Sequence, residues 1–517
     1  MFMTLFLVLL ALLTLAVAGM LALRRRRPPL PPAEPAGATG GDAPGDHPLL
    51  LASDPVPVVL AEHARFQHLE IVGASGTGKN YHALLPMLAQ DIRGGAGVVL
   101  VDPKGSMRAR FEAYARDAGR LGEVRCLDLS DPAHSDSYNP FLGGDPLLVA
   151  ERAHASLYSG DHTSTPFYRE SARSLFLAVF PLCRRLNVLP TPAQLRLLAQ
   201  DQNALAALAA LDPEAPESAE LKRGLLRLSN AEYSRTLQGL ANALAPLSAG
   251  PIGALVNTCR PSIDTQALLQ NGGLLYAGLA SDQYPALFRT VSTLLLMDLQ
   301  ASLTVRYRRE AKSLFVYLDE FADLLYPEMG ALVAKAREAR VGIIAAHQSL
   351  GDLERAGGPA ARSLFENFSN KILLRVGSAE SADRLAALSA EDVEAAPNPR
   401  ISRGGLRGGA PSQALRLADA PGIPAKELLN LSVGEAYLIV QRRRGRELYR
   451  ARLPPAPEPK SWDGPARIPT PGPARPALVW EEGDASAAAA AHPEPEHPLG
   501  AAAFKRLDRR RNRADGA

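Results

Sequence analysis

Residues 73–80 read GASGTGKN, preceded by HLEIVG (68–73) and followed by YHALLPMLAQDI (81–92). The octapeptide fits the phosphate-binding pattern GxxxxGK[ST] except at its last position, where Asn80 replaces a hydroxyl residue. The apolar run before the glycines predicts a strand, and the segment after them predicts a helix. This order predicts an α/β fold in which the loop N–H groups and the helix N-terminus cradle a phosphate.

The residues that we assign to nucleotide binding form one continuous segment: Gly73, Ala74, Ser75, Gly76, Thr77, Gly78, Lys79 and Asn80. Lys79 is expected to reach the β- and γ-phosphates. Asn80 leaves three interpretations open, namely a working site, a decayed site or a chance match. Its amide oxygen could still bind Mg²⁺ or a metal-bound water, although less well than a hydroxyl.

A nucleoside triphosphatase also needs acidic residues at the end of a second strand. GVVLVD (97–102) ends at Asp102, whereas SLFVYLDE (313–320) ends at Asp319 and Glu320. The second run is the better candidate, because Asp319 can hold Mg²⁺ through water while Glu320 polarises the attacking water. Asp102 either contacts nucleotide or only starts the turn DPKG.

The strand predicted by VGIIAAHQ (341–348) ends at Gln348, which could hydrogen-bond the γ-phosphate or the attacking water. The alternative is a polar residue that faces solvent. Arg337 and Arg340 precede this strand, and either could reach the phosphate of a neighbouring subunit. The alternative for both is a solvated helix face that also carries Glu338.

Residues 1–23 carry no charge and are followed by RRRR at 24–27. A helix of this length measures about 34 Å, enough to cross a bilayer. A signal peptide has its positive charges before the apolar run, so this order favours a single-pass anchor with the body in the cytoplasm. A cleaved leader or a hydrophobic segment buried in protein is the alternative.

The whole chain has 517 residues, 46% of them hydrophobic, and a net charge of +3. These values indicate two or three folded domains and exclude a global polycation. The three cysteines form no CxxC pair, so neither a metal site nor a disulfide framework follows. We predict a transmembrane anchor (1–23), a basic stop with a Pro/Gly-rich linker (24–54), a nucleotide-binding domain in two parts (55–145 and 251–455), an inserted all-α domain (146–250) and a disordered Pro/Ala-rich tail with a basic tip (456–517).

Several motifs resemble those of the type IV coupling proteins of the TraG/TraD kind, the membrane-anchored ATPases of conjugative DNA transfer and type IV secretion. The most specific are LDEFADL (318–324) and HQSL (347–350), and the others are VVLVDPKGS (98–106), YNPF (138–141), TPFYRESARSLF (165–176), AREARVGIIAAHQSLGDLE (336–354), NFSNKILLRVGSAESADRLA (367–386) and LSVGEAYLIVQRR (431–443). Pro86, seven positions after Lys79, also matches the family, although a proline deep in an ordinary helix would cost about 3 kcal/mol. The resemblance covers about residues 55–455.

The resemblance implies a RecA-like P-loop NTPase domain with an inserted helical domain, a homohexamer, and ATP with Mg²⁺ bound between subunits at the cytoplasmic (inner) membrane. Carried over to this chain, Lys79 binds phosphate, Asp319 assists Mg²⁺, Glu320 activates water, Gln348 senses the γ-phosphate and Arg337 is the arginine supplied in trans. The implied partners are single-stranded DNA carried by a relaxase and the proteins of a type IV secretion channel.

Two other functions remain open. A translocase of the FtsK or HerA kind would act on double-stranded DNA, and a non-hydrolysing docking platform would only hand substrates to the channel. Asn80 is the one residue that favours the platform. Many family members have two membrane spans, whereas this sequence predicts one, and its basic tip FKRLDRRRNRADGA (504–517) could bind DNA, anionic lipid or a relaxase, or only keep the tail soluble.

Overall fold

The computed structural model describes residues 47–55, 57–158, 165–307, 311–358, 360–390, 393–395, 422–442, 445–460, 469 and 471–472. The predicted anchor (1–23), the linker up to residue 46 and most of the predicted tail lie outside these residues. Within the described ranges, no single helix is long and apolar enough to span a membrane. The consecutive segments Asn230–Leu247 and Gly250–Val256 meet the criterion only together, with a bend of 95° between them.

The strands are numbered in chain order. They are β1 (Leu49–Ala52), β2 (Val58–Leu60), β3 (Leu69–Val72), β4 (Gly97–Asp102), β5 (Val124–Asp128), β6 (Leu274–Gly278), β7 (Leu314–Leu318), β8 (Val341–His347), β9 (Asn370–Leu373), β10 (Val393–Ala395), β11 (Glu435–Arg442) and β12 (Gly445–Arg452). The strands predicted at HLEIVG, GVVLVD, SLFVYLD and VGIIAAHQ are confirmed as β3, β4, β7 and β8.

The α-helices are numbered in the same way. They are α1 (Glu62–Arg65), α2 (Leu85–Gly94), α3 (Arg108–Asp117), α4 (Pro146–Leu157), α5 (Pro166–Arg185), α6 (Pro192–Gln200), α7 (Gln202–Ala210), α8 (Pro216–Arg223), α9 (Asn230–Leu244), α10 (Gly250–Val256), α11 (Thr265–Asn271), α12 (Pro285–Ser302), α13 (Met329–Glu338), α14 (Leu350–Gly357), α15 (Ala360–Asn367), α16 (Ala379–Ala390) and α17 (Ala425–Asn430).

The main sheet has the strand order β10-β12-β11-β9-β3-β8-β7-β4-β6-β5. All strands from β9 to β5 run parallel, whereas β11 is antiparallel to both β9 and β12. β8 therefore lies between the strand that precedes the glycine loop and the strand that precedes the two acids. Because the strands are parallel, the loops after β3, β8 and β7 lie side by side at one edge of the sheet.

The sheet is covered on both faces, which explains why its strands are apolar along their whole length. In β4, Val99 and Val101 pack into one buried hydrophobic cluster, and Val98 and Leu100 pack into the other. Each of these four side chains is fully buried. The two clusters fix the position of the strands, and the polar residues at their ends are fixed with them.

The described residues between β5 and β6 form helices and short turns, and a buried ion pair joins this block to the helix after β6. The Arg152 guanidinium in α4 lies 2.8 Å from Asp298 Oδ1 in α12. Tyr138 and Thr265 donate their hydroxyl protons to the other oxygen of Asp298, at 3.0 and 2.8 Å. Burial raises the pKa of Asp298, and Arg152 opposes that rise. The ion pair therefore compensates a carboxylate that burial alone would neutralise.

Two predicted boundaries are wrong. The predicted linker (24–54) ends inside a hairpin, because Leu49 and Leu51 of β1 are buried against the body and β1 pairs antiparallel with β2. The predicted disordered tail starts too early: Ala456 is buried, and the Tyr114 hydroxyl donates to the Pro457 carbonyl at 3.0 Å. Apolar contacts and hydrogen bonds with α3 therefore hold residues 456–460, despite their proline-rich composition.

Candidate nucleotide site

The glycine loop is held in a shape that only glycine adopts easily. Gly76 and Gly78 have φ of 75° and 94°, in the left-handed region that side chains disfavour. The Thr77 hydroxyl donates to the Ala74 carbonyl at 2.7 Å, and the Ala74 N–H donates to the Arg375 carbonyl at 2.9 Å. The loop is therefore tied both to itself and to the end of β9.

Lys79 is buried at the end of this loop, and its ammonium group donates to the Gly73 carbonyl at 2.7 Å. Burial lowers the pKa of Lys79, whereas the nearby carboxylates of Glu320 and Asp319 raise it. The cation thus lies within the electrostatic reach of both predicted catalytic acids. The arrangement suits a lysine that exchanges a carbonyl partner for a phosphate oxygen.

The segment after Lys79 corrects the expected position of Pro86. Lys79–Leu84 is a π-helical turn, in which the Leu85 N–H bonds to the Asn80 carbonyl. Pro86 is therefore the second residue of α2 rather than a residue deep in a continuous α-helix. A proline at this junction, where the helix changes from π- to α-helical hydrogen bonding, interrupts less regular structure than one in the middle of an α-helix. The cost should therefore be smaller than the expected value of about 3 kcal/mol.

Asn80 contacts the acidic strand directly. Its side-chain nitrogen donates to Asp319 Oδ2 at 2.9 Å. A carboxylate oxygen can only accept, so the amide nitrogen faces it and the amide oxygen stays available for water or metal. Burial raises the pKa of Asp319 to about 6, Asn80 partly opposes that rise, and Glu320 adds to it. Asn80 thus performs one task of the missing hydroxyl, namely holding the acid of the second strand.

The same residues fit Mg²⁺. Asp319 Oδ1 is buried and has no hydrogen-bond partner among the described residues. An orphaned carboxylate oxygen in a buried site is costly unless a cation or water satisfies it. Carboxylate and amide oxygens, with water, are the ligands that Mg²⁺ prefers. Asp319 and Asn80 are therefore the residues of this chain that would hold the metal.

Glu320 has a strained backbone and two side-chain partners. Its φ and ψ are 44° and 51°, left-handed values that are uncommon for a residue with a side chain. Lys104 donates to Glu320 Oε1 at 2.8 Å, and the Gln348 amide donates to Oε1 and Oε2 at 3.3 and 3.2 Å. Burial would raise the pKa of Glu320, but Lys104 and Gln348 lower it overall. Strain of this kind concentrates at functional sites.

The Asp102 carboxylate is engaged in hydrogen bonds, two of them within the turn that follows β4. Its carboxylate accepts from the N–H groups of Lys104 and Met107 at 3.1 and 2.8 Å and from the Tyr276 hydroxyl at 3.0 Å. Burial raises the pKa of Asp102, and these hydrogen bonds oppose the rise. Between the two alternatives left by the sequence, this geometry favours the residue that starts the DPKG turn.

Arg337 and Arg340 lie far from the glycine loop of their own chain. They precede β8, whereas the loop follows the opposite ends of the strands. The seven residues of β8 span about 20 Å. Arg340 is engaged, since its guanidinium lies 3.5 Å from the Glu62 carboxylate and over the Phe66 ring at 5.7 Å. Arg337 is exposed. Within one subunit the structure therefore brings neither arginine to the site.

Sequence reasoning missed two basic residues at this edge. Lys104 lies two residues after the strand-end Asp102, and that spacing was a usable signal. Arg375 follows β9 and is partly buried. No hydrogen bond or ion pair joins its guanidinium group to another described residue. An arginine placed directly after an apolar strand was the signal that could have found it.

A cleft of about 310 Å³ opens beside the loop. Its lining includes Ala74 and Ser75 from the loop, Gln348 and Ser349 after β8, and Ser378 before α16. The size is at the lower end of that of small-molecule sites. Gln348 therefore lies between the acid Glu320 on one side and an open cleft on the other.

Solved structures of a conjugative coupling protein share this fold. Bacterial conjugative coupling protein TrwBdeltaN70 in an unbound form has a TM-score of 0.57 and 20% identity, over 81% of this chain and 91% of its own. Plasmid coupling protein TrwB with ADP and Mg²⁺ has a TM-score of 0.52 and 18% identity, over 82% and 92%. TrwB with the non-hydrolysable ATP analogue ADPNP has a TM-score of 0.56 and 20% identity, over 82% and 92%. At these identities the similarity shows the fold alone.

The sequence itself carries the family assignment. No curated protein sequence matches this chain significantly. The family model of the type IV secretion-system coupling protein DNA-binding domain matches residues 55–442, well over half of the 517 residues. The match includes the glycine loop, both acids that follow β7 and the segment after β8. The chain therefore belongs to the type IV secretion-system coupling protein family.

Proposed function

We propose that this protein is an ATP hydrolase, anchored in the cytoplasmic membrane, that recruits a DNA strand bound to a relaxase, or a protein substrate, and pumps it into a type IV secretion channel. One observation carries the proposal. Lys79, the Asn80–Asp319 pair and the Glu320–Gln348 pair meet at one edge of a parallel sheet. Family membership supports the DNA-transfer part of the proposal.

The proposed ligands are ATP and Mg²⁺. TrwB, which shares the fold, has been solved with ADP and Mg²⁺ and with an ATP analogue. In this chain the Lys79 ammonium would exchange the Gly73 carbonyl for phosphate oxygens. Asp319 Oδ1 and the amide oxygen of Asn80 would hold the metal, directly or through water. Bound Mg²⁺ neutralises charge on the β- and γ-phosphates.

Glu320 is the residue proposed to orient and deprotonate the attacking water. Its lowered pKa keeps the carboxylate ionised at neutral pH and able to accept a proton. Lys104 and Gln348 hold that carboxylate, so its geometry is defined before the water arrives. Gln348 also borders the cleft. Its amide could therefore exchange Glu320 for the γ-phosphate and report hydrolysis to β8.

A homohexamer is proposed because an arginine from a neighbouring subunit would add to Lys104 and Arg375, the basic residues at this edge of the sheet in the same chain. An arginine from a neighbouring subunit would spread the transition-state charge. Arg337 is exposed at the opposite end of β8, where it is free to reach another subunit. Arg375 is the control, since it lies at the loop of its own chain. In mixed hexamers, Arg337→Ala subunits should inactivate wild-type neighbours, whereas Arg375→Ala subunits should lose only their own turnover.

The experiment that tests the function is an ATPase assay on the full-length protein in detergent, with and without single-stranded DNA. We expect turnover that single-stranded DNA increases and that Lys79→Ala abolishes. Absence of turnover in every oligomeric state, or turnover unaffected by Lys79→Ala, would contradict the proposal. Nucleotide binding without turnover would indicate the docking platform, and stimulation only by double-stranded DNA would indicate a translocase of the FtsK or HerA kind.

A further inference from the structure

Three ionisable side chains form a buried cluster under the loops of the nucleotide site. Glu70 in β3 lies 2.7 Å from His347 in β8 and 2.9 Å from Lys371 in β9, measured from its two carboxylate oxygens. Glu70 and His347 are fully buried, and Lys371 is 8% exposed. We call these three residues the buried triad. They join the three adjacent strands whose ends carry the glycine loop, Gln348 and Arg375.

The triad is fully satisfied by fixed partners. Besides Glu70, the Lys371 ammonium donates to the carbonyls of Phe365 and Phe368, at 2.9 and 3.0 Å, near the end of α15. Burial would raise the pKa of Glu70, but Lys371 and His347 lower it overall. A buried charge with this many partners is held in one geometry, because losing any partner leaves another one uncompensated.

His347 extends the triad to the turn that follows β8. Its Nε2 faces Glu70 Oε1, and its Nδ1 lies 3.0 Å from the Ser349 carbonyl. Both partners are acceptors, so the tautomer of the ring decides which of its nitrogens donates, while the ring contacts both groups. The ring therefore bridges residue 349 to β3, and Gln348 is the single residue between the ring's own backbone and that carbonyl. Ser349 also begins α14, where its hydroxyl accepts from the Asp352 N–H.

We propose that His347, held by Glu70 and Lys371, is a positioning residue that fixes the turn carrying Gln348 and so aims the Gln348 amide at Glu320. The proposal deepens the proposed function and rests on it for its kinetic test. It also gives β3 and β8 a polar connection: a shift of Gln348 on hydrolysis would pull on the strand that leads into the glycine loop. If the triad were purely structural, it would stabilise the fold without influencing the orientation of the Gln348 side chain.

Two near-isosteric variants separate the two hydrogen bonds of the ring. In His347→Gln the amide can replace Nε2 and keep the bond to Glu70, but the bond to the Ser349 carbonyl is lost. In His347→Asn the amide can replace Nδ1 and keep that bond instead. We expect kcat for ATP to fall about tenfold in His347→Gln and about threefold in His347→Asn, with KM unchanged in both. A rise in KM with constant kcat would contradict a positioning role.

The decisive comparison places each variant on a Gln348→Ala background. If His347 acts through Gln348, the second substitution should cause no further loss of kcat. Asp298→Asn provides the matched control. It also disturbs a buried ion pair, but that pair joins α12 to α4 and does not involve the turn that carries Gln348. Its effect should multiply with that of Gln348→Ala. Undiminished losses for the His347 variants on the Gln348→Ala background would overturn the proposal.

Amide hydrogen exchange gives a readout that needs neither turnover nor an active hexamer. His347→Gln should speed exchange in residues 348–350 while leaving β4 unchanged, and His347→Asn should speed it less. If the wild-type protein hydrolyses no ATP, the proposed function fails, yet the exchange result still decides the role of His347. Unchanged exchange at 348–350 in His347→Gln would refute the role, whether or not the protein is an ATPase.

Discussion

Replacing Asn80 by alanine tests whether this residue supports the acid of the second strand. The substitution removes the hydrogen bond of 2.9 Å that the amide donates to Asp319 Oδ2. Burial raises the pKa of Asp319 to about 6, and that hydrogen bond is the largest interaction opposing the rise. Without it the pKa of Asp319 should rise further, because less of the carboxylate charge is compensated.

The size of the effect follows from the burial of the pair. A hydrogen bond to a charged group contributes about 1.5–3 kcal/mol, part of which water would restore. A net loss near 1.4 kcal/mol moves the acid limb of the pH profile up by about one pH unit. At pH 7 the protonated fraction of Asp319 would then rise from about a tenth to about a half, and activity at pH 7 would fall by about half.

The assay is the pH dependence of kcat/KM for ATP between pH 5 and 8.5, at limiting and at saturating Mg²⁺. The wild-type protein should lose activity as the pH falls through about 6, since protonated Asp319 is a poor metal ligand. Saturating Mg²⁺ should move both profiles to lower pH, because metal and proton compete for one carboxylate. Asn80→Thr restores a hydroxyl that can donate to Asp319 and should keep or raise activity.

Two results would refute the reasoning. If Asn80→Ala leaves the acid limb where the wild-type protein has it, the hydrogen bond has no influence on Asp319 ionisation. If Asn80→Thr abolishes turnover, the asparagine has a role that a hydroxyl cannot take. Gln90→Ala is a suitable control, because Gln90 makes its hydrogen bonds to Leu50 and to the Pro86 carbonyl of its own helix and not to the acids.

Four further substitutions test the two acids, Lys104 and the buried Arg152–Asp298 ion pair. Asp319→Asn should abolish turnover but stabilise the folded protein at pH 7.5 by about 1–2 kcal/mol, which a higher Tm would show. Because the pKa of Asp319 is raised in the folded state, the wild-type protein gains stability as the pH falls through about 6. The difference in Tm between the two proteins should therefore close below that pH. Glu320→Gln should bind ATP but hydrolyse it at least about 10²-fold more slowly. The Lys104 side chain is half-exposed, so Lys104→Met should lower kcat by less than about tenfold. Arg152→Met should leave Asp298 unpaired and cost about 3–5 kcal/mol in unfolding free energy by urea titration, most of which a second substitution, Asp298→Asn, should recover.

The strands of the nucleotide domain were predictable because a strand buried on both faces must be apolar throughout. VVLV before Asp102 and LFVYL before Asp319 show this pattern, and each ends at the polar residue that begins its loop. The positions of Lys79, Asp319 and Gln348 at one edge follow from the parallel order. Their contacts with Asn80 and Glu320 could not be predicted, because they depend on side-chain orientation.

Contacts between residues far apart in the sequence could not be predicted for the same reason. Glu70 and Lys371 are 301 residues apart, and each resembles an ordinary polar residue within its own strand. Leu49 lies in a segment whose composition is typical of a linker, yet it is buried because β2 pairs with it. Composition describes a segment in isolation, whereas these residues are held in place by the strands and side chains that pack against them.

The π-helical turn at Lys79–Leu84 also sets an angular relation. Each residue of an α-helix advances the chain by about 100°, so an extra residue in an α-helical turn would rotate everything after it by about that angle, whereas a π-helical turn accommodates the extra residue. The glycine loop dictates where Lys79 points, while Leu88 and Ile92 of α2 must point into the core, where both are fully buried. The wider turn lets the same continuous segment satisfy both requirements. Deleting a single residue between Lys79 and Pro86 should therefore convert the wide turn into an α-helical one and keep the apolar face of α2 against the sheet, whereas inserting one should rotate that face by about 100°.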